Sequence, residues 1–99
     1  MVITICGSMK YISEMLKEYE RLSLEGHLVY LPVFHTNANE DFKVSNVLKE
    51  QLRQLHFKKI LLSDSIFIVN PDGYIGEDTL AEIEYAKSYN IPVKYLEEE

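Results

Sequence analysis

Two short apolar runs rich in β-branched residues constrain the fold of this chain more than any other feature. Residues 2–6 read VITIC and residues 65–69 read SIFIV, and neither run alternates polar with apolar side chains. Strands of this kind are covered on both faces, as in a parallel sheet with helices packed on either side. We therefore predict a parallel sheet buried between two layers of helices.

The segments around these runs supply the remaining elements. Residues 28–31 and 92–96 read as two further strands, and three intervening segments carry apolar residues at helical spacing. Their stripes comprise Ile12, Met15, Tyr19 and Leu22 in the first helix, Val44, Leu48, Leu52, Leu55 and Leu62 in the second, and Leu80, Ile83 and Ala86 in the third.

The order β-α-β-α-β-α-β determines the expected topology. Each crossover is long enough for a parallel connection, and right-handed crossovers produce an open, doubly wound sheet. We predict a three-layer α/β fold of about four strands in the order 2-1-3-4, with residues 1–99 forming one domain.

The charge balance excludes some classes of partner. The chain has 16 acidic and 10 basic residues, a formal net charge of −6. Binding to a nucleic-acid polymer relies on many basic side chains, so we expect no nucleic-acid polymer among the partners of this protein. No apolar stretch reaches about 20 residues and no signal-peptide pattern opens the chain, so we expect a cytoplasmic protein with no membrane partner. A core this small gains stability from a second subunit, which favours a homodimer or larger homo-oligomer.

Doubly wound sheets bind ligands beyond the carboxyl ends of their strands, where the strand order reverses. Residues 7–10, 32–41 and 70–79 converge there in the predicted topology. The first of these segments, Gly7-Ser8-Met9-Lys10, opens a helix, and its glycine and free amides favour a bound anion. The alternative is an ordinary turn in which Ser8 caps the helix. His35, in the second segment, is a candidate base or phosphate contact.

The third segment is the most informative loop. It combines a proline, two glycines and an aromatic residue at the predicted ligand edge. Tyr74 could stack on a flat ring, and Asp72 could accept hydrogen bonds from hydroxyl or amino groups. The alternative is a turn-rich connection whose tyrosine covers the edge of the core. The candidate ligand contacts here are Asn70, Gly73, Tyr74, Gly76 and Thr79.

Glu82 and His56 each permit a structural and a functional interpretation. Thr79 and Glu82 form a T-x-x-E capping box, yet the same spacing places Glu82 in a first helical turn that faces the crevice. Glu84 lies about 200° further around the helix and is expected to be solvated. His56 is either a half-buried structural residue or a group near the ligand edge. Cys6 reads as a small buried thiol, and no metal-ligand spacing is present, so we expect no metal or cofactor.

These residues together resemble a known family. The segments I-C-G-S-M, S-D-x-I-F-I-V-N, G-Y-I-G-E-x-T-x-x-E-I-x-Y-A and I-P-V are similar to those of the nucleoside 2-deoxyribosyltransferase-like superfamily. Its short bacterial members are the nearest in pattern, and 2′-deoxynucleoside 5′-phosphate N-hydrolases are related to them. The resemblance covers nearly the whole chain and is most specific in its last third.

The resemblance implies roles for particular positions. Glu82 matches the nucleophilic glutamate, which attacks the anomeric carbon of a nucleoside or nucleoside 5′-monophosphate. Gly7 and Ser8 match the segment that holds the sugar or its 5′-phosphate, and Lys10 could assist there. Hydrolases of this family carry an aspartate where this chain has His56, which can donate a proton but cannot replace an anion.

Three hypotheses follow from the sequence. The first is an N-glycosidase or deoxyribosyltransferase in which Glu82, His56 and Asp72 are the catalytic candidates. The second is a non-catalytic nucleotide-binding domain of the same fold, which the histidine at position 56 favours. The third is an interaction domain without a ligand, which leaves the polar, glycine-containing edge unexplained.

Overall fold

The computed structural model describes residues 1–34 and 46–98, and these form a three-layer α/β fold. The strands are β1 Val2–Gly7, β2 Leu28–Tyr30, β3 Ser65–Val69 and β4 Val93–Tyr95; the helices are α1 Ile12–Leu24, α2 Asn46–Leu61 and α3 Glu77–Ser88, with short 3₁₀ turns at Met9–Tyr11 and Pro71–Gly73. The strands are parallel and ordered β2-β1-β3-β4, which confirms the predicted topology.

The sheet separates two hydrophobic clusters. Ile3 and Ile5 of β1 pack with Met15 of α1 on one face. Cys6, in the same strand, packs on the other face with Ile60 of α2 and Ile83 of α3. Successive strand residues point to opposite faces, so the alternation along β1 directs Cys6 toward the α2 and α3 side. This placement brings the thiol close to the carboxyl end of β1, on the side covered by α2 and α3.

The apolar stripe predicted for α2 is wrong in its second half. Leu55 and Leu62 are exposed, whereas His56 and Ile60 are the buried residues of this helix. In α3, likewise, Leu80 is exposed and Thr79 is buried with Ile83 and Ala86. Both helices are rotated so that a polar side chain, rather than a leucine, lies against the carboxyl end of the sheet. Val44 lies outside the described residues.

Among the helices of the described ranges, none combines the length and apolar composition that a membrane span needs.

Candidate active site

A cleft of about 790 Å³ lies at the carboxyl ends of β1 and β3, where the strand order reverses. Its size falls within the range of about 300–1,000 Å³ that small-molecule sites occupy. The lining residues from the strand ends and loops are Gly7, Ser8, Met9, Pro32, Val33, Tyr74 and Gly76; those from α2 and α3 include Lys49, Arg53, His56, Asp78, Thr79 and Glu82.

Three side chains from different elements meet beside this cleft. The Nε2 atom of His56 lies 3.4 Å from Sγ of Cys6 and 3.6 Å from Oε1 of Glu82. Cys6 is fully buried, and the side chains of His56 and Glu82 are 5% and 14% exposed. The sequence predicted only that His56 lies near the ligand edge. The structure places it in direct contact with Glu82.

The environment of Glu82 favours its protonated form. Burial raises the pKa of this carboxyl group to about 7, and the negative charge of Asp78 adds to the rise. A hydrogen bond from the Cys6 thiol and the positive charge of Arg53 act in the opposite direction. A carboxyl group that titrates near neutral pH is typical of a site where chemistry occurs.

His56 is neutral at physiological pH. Burial lowers its pKa to about 4, and the nearby charge of Lys59 lowers it further. The contact with Glu82 is therefore not an ion pair at neutral pH, although the two groups are close enough for one. The Nδ1 atom has no hydrogen-bond partner within residues 1–34 and 46–98. We assign the ring proton to Nε2, where it lies between Glu82 and Cys6. In this tautomer the unpartnered Nδ1 atom is a hydrogen-bond acceptor rather than a donor.

The capping-box interpretation of Glu82 is wrong. Helix α3 begins at Glu77, with Gly76 as its N-cap, and the amide of Leu80 donates to the Gly76 carbonyl at 2.9 Å. Glu77 and Asp78 occupy the first turn, where their charges favour a helix start. Thr79 therefore lies inside the helix, and Glu82 lies in the second turn, too far along to bond its cap.

Two basic residues on α2 contribute to the cleft and were not among the sequence candidates. Lys49 and Arg53 line the wall formed by this helix, and Nη1 of Arg53 lies 4.0 Å from a carboxylate oxygen of Asp78 on α3. Positions 49, 53 and 56 are spaced four and three apart, so they share one helix face. That spacing, combined with His56, is the sequence signal that could have identified them.

Tyr74 lies in the cleft lining but is not free on both faces. The Nζ atom of Lys10 sits 3.5 Å from the centroid of its ring, and Tyr11 contacts it edge-on at 6.0 Å. A cation over an aromatic face is an attractive contact. Lys10 is therefore directed to Tyr74, and its ammonium group does not line the cleft.

The structure places Asn70, Asp72 and Gly73 away from the described lining of the cleft. The buried Asn70 side chain donates to the Glu97 carbonyl at 3.1 Å and accepts from the Glu97 amide at 3.0 Å. The Asp72 amide donates to Oε2 of Glu97 at 2.8 Å, while its own carboxylate is exposed. These contacts hold the loop that carries Tyr74. His35 lies outside the described residues.

Gly7 is required by packing as well as by its position in the cleft. A Cβ atom there would lie 3.0 Å from the Val69 carbonyl oxygen and 3.2 Å from the sulfur of Met15. Ser8, the next residue, caps the 3₁₀ turn by accepting from the Lys10 amide at 3.4 Å.

Comparison with known proteins identifies a structural relative. No family model and no curated protein sequence matches this chain. A solved structure of a 2-deoxyribosyltransferase from the psychrotolerant bacterium Bacillus psychrosaccharolyticus, a biocatalyst for nucleoside synthesis, is similar with a TM-score of 0.73 and 17% sequence identity. The match covers 96% of this chain and 71% of that enzyme. The chain therefore has the α/β fold of a 2-deoxyribosyltransferase.

Proposed function

We propose that this protein is an N-glycosidase or deoxyribosyltransferase that cleaves the base–sugar bond of a nucleoside or nucleoside 5′-monophosphate. The observation that carries the proposal is a largely buried carboxyl group, Glu82, on the wall of a cleft of about 790 Å³ at the strand-order reversal. The fold it shares with a 2-deoxyribosyltransferase supports this reaction class.

In the proposed reaction, the ionised Glu82 carboxylate attacks the anomeric carbon of the sugar. A bond forms between the carboxylate oxygen and that carbon, the bond to the base nitrogen breaks, and its electron pair leaves with the base. Because His56 is neutral at physiological pH, it can pass a proton to the departing base only after taking one from the Glu82 carboxyl group, whose Oε1 lies 3.6 Å from Nε2; that transfer also leaves Glu82 ionised for the attack. Attack by water, or by a second base, on the same carbon then releases Glu82.

The remaining cleft residues supply the proposed substrate contacts. Ser8 and the backbone at Gly7 and Met9 hold the sugar or its 5′-phosphate, since free amides at a helix start favour an anion. Tyr74 contacts the substrate with its open face, beside Gly76 and Thr79. Asn70, Asp72 and Gly73 act indirectly, by fixing the loop that carries Tyr74.

A second function is favoured by one observation. His56 occupies the place of the aspartate in hydrolases that the chain resembles, and its depressed pKa makes it a poor proton donor to a leaving base. A domain that binds nucleotides without turning them over fits that replacement. No metal or cofactor is needed for either function.

The experiment that separates the two functions is incubation of the pure protein with a panel of nucleosides and nucleoside 5′-monophosphates. Chromatography detects released base, and calorimetry on the same panel detects binding. Release of free base from any member supports the enzyme. Binding without release supports the nucleotide-binding domain, and absence of both contradicts the two proposals together.

We further propose that the protein is a homodimer or larger homo-oligomer. Apolar side chains remain exposed on the two helices that flank the cleft, with Val47 and Leu62 of the α2 segment each 69% exposed and Leu80 of α3 49% exposed. Contiguous apolar patches mark protein–protein contacts, and we propose that these side chains form part of one between subunits.

A further inference from the structure

The Cys6, His56 and Glu82 side chains have a geometric property that the proposed reaction does not use. One ligand atom from each, a thiol sulfur, an imidazole nitrogen and a carboxylate oxygen, lies within 4.8 Å of the other two. They come from β1, α2 and α3 respectively. Sequence spacing could not reveal the cluster, because its members are separated by 50 and 26 positions along the chain.

Two of the three separations in this cluster match those around a tetrahedral metal ion, and the third is no more than 4.8 Å. Zinc binds sulfur at about 2.3 Å, and nitrogen or oxygen at about 2.0–2.2 Å, so neighbouring ligand atoms stand about 3.3–3.6 Å apart. The sulfur of Cys6 and Nε2 of His56 are 3.4 Å apart, and that nitrogen is 3.6 Å from Oε1 of Glu82. Binding therefore requires the sulfur of Cys6 and the Glu82 carboxylate to come within about 3.6 Å of each other, starting from a separation of at most 4.8 Å.

The chemistry of the three donors selects the kind of metal. One thiolate, one imidazole and one carboxylate suit zinc and similar transition-metal ions, whereas magnesium and calcium prefer oxygen donors alone. Two anionic ligands balance the charge of a divalent ion in a buried place. Three protein ligands leave a fourth position, and it faces the cleft because His56 and Glu82 line it.

The surroundings indicate an exchangeable ion rather than a permanent one. A histidine that ligates a metal through Nε2 usually donates its Nδ1 proton to a neighbour, which fixes the ring. His56 has no such neighbour within the described part of the chain. Cys6 is fully buried, so an ion would reach it from the cleft that His56 and Glu82 line.

We propose that Cys6, His56 and Glu82 form a binding site for a zinc-class divalent ion. A bound ion occupies the Glu82 carboxylate, so it inhibits any reaction in which Glu82 attacks a sugar. This second statement rests on the proposed function, whereas the binding site itself does not.

Cobalt(II) titration of the metal-free protein tests the site directly, because cobalt bound to a thiolate absorbs in the near ultraviolet. We expect one equivalent to produce this absorption together with the visible bands of tetrahedral cobalt, and zinc to displace both. Cys6→Ser should abolish the near-ultraviolet band and weaken binding at least tenfold. His27→Gln, which removes a histidine far from the cluster, should behave like the unmodified protein.

Two outcomes would overturn the proposal: no thiolate band with the folded protein, or equal cobalt affinity in Cys6→Ser and His27→Gln. If Cys6→Ser does not fold, Glu82→Gln replaces it. Cobalt affinity that is tenfold weaker, with the near-ultraviolet thiolate band retained, supports the site, and unchanged cobalt affinity contradicts it. The spectrum requires no turnover. A cobalt site without base release therefore contradicts the proposed function alone, and base release without a cobalt site contradicts the metal site alone.

Discussion

Glu82 and His56 lie side by side next to the cleft, and burial changes the pKa of each in the direction that favours its neutral form. Neither group gains the ion pair that their distance allows. Burial keeps each group neutral in the folded protein at pH values where it is charged in the unfolded chain. In those pH ranges, burying the group lowers the free energy of unfolding. Residues that reduce stability in this way are concentrated at functional sites.

These shifts predict opposite effects of pH on stability. The raised pKa of Glu82 stabilises the fold at low pH, and that contribution is lost as pH rises from about 4.5 to about 7. The lowered pKa of His56 acts in reverse, since its contribution is lost as pH falls from about 6.5 to about 4. The two effects offset each other, so the unmodified protein should show a shallow dependence across this window.

Single variants should expose each effect. With a chelator present, denaturant unfolding of Glu82→Gln should show stability rising with pH between about 4 and 6.5, because His56 then keeps its shifted pKa without the opposing contribution of Glu82. Unfolding of His56→Gln should show stability falling between about 4.5 and 7. Parallel pH profiles for the two variants would contradict the assignment of these shifts.

The carboxylate of Glu82 should be essential for turnover. We expect Glu82→Gln to lower the rate of base release by about three orders of magnitude or more, because the amide cannot act as the nucleophile. Glu84→Gln is the matched control, since Glu84 is exposed on the same helix. Equal losses in both variants would show that the effect is not specific to position 82.

At the scale of elements, the sequence correctly predicted the strands, because a strand buried on both faces has a local pattern of its own. The runs VITIC and SIFIV identified the central strands because burial on both faces leaves a continuous apolar signature. The start of α3 was misplaced because its N-cap is Gly76, three residues before Thr79, and a glycine has no side chain that would mark a cap in the sequence. The role of Cys6 depends on which faces of α2 and α3 meet its strand, and no local pattern records that.

Strands β1 and β3 approach each other so closely at Gly7 that a methyl group added there should destabilise the fold. Gly7→Ala places a carbon 3.0 Å from the Val69 carbonyl oxygen, and backbone there cannot yield without shifting the strand pair. We expect a loss of about 1–3 kcal/mol in the free energy of unfolding, measured by urea denaturation. A midpoint equal to that of the unmodified protein would show that this packing is looser than described.

At the scale of the whole molecule, the cleft and the exposed apolar side chains are formed by the same two helices. Helices α2 and α3 pack on one face of the sheet, and they present Leu55 and Leu80 respectively to solvent. A second subunit that covered this surface would lie next to the cleft. We therefore expect the subunit interface to lie beside the substrate-binding cleft.

Sedimentation at micromolar concentration should show at least twice the 11.5 kDa mass of the chain. Replacing Leu55 and Leu62 of the exposed α2 surface together by lysine should shift the protein toward the monomer, since charge opposes burial of that surface. Leu24→Lys is the control, because Leu24 is exposed at the end of α1 on the opposite face. A monomer for the unmodified chain would contradict the homo-oligomer.

The central claim is that Glu82 forms a covalent bond to the sugar, and intact-protein mass spectrometry tests it most directly. The protein is incubated with a nucleoside or monophosphate that releases base, quenched in acid and weighed, and peptides are mapped. The account predicts a mass increase equal to one sugar unit with a nucleoside, or one sugar phosphate with a monophosphate, located on the peptide that contains Glu82 and absent from Glu82→Gln. Base release by Glu82→Gln at the rate of the unmodified protein, without any adduct on either protein, would contradict it.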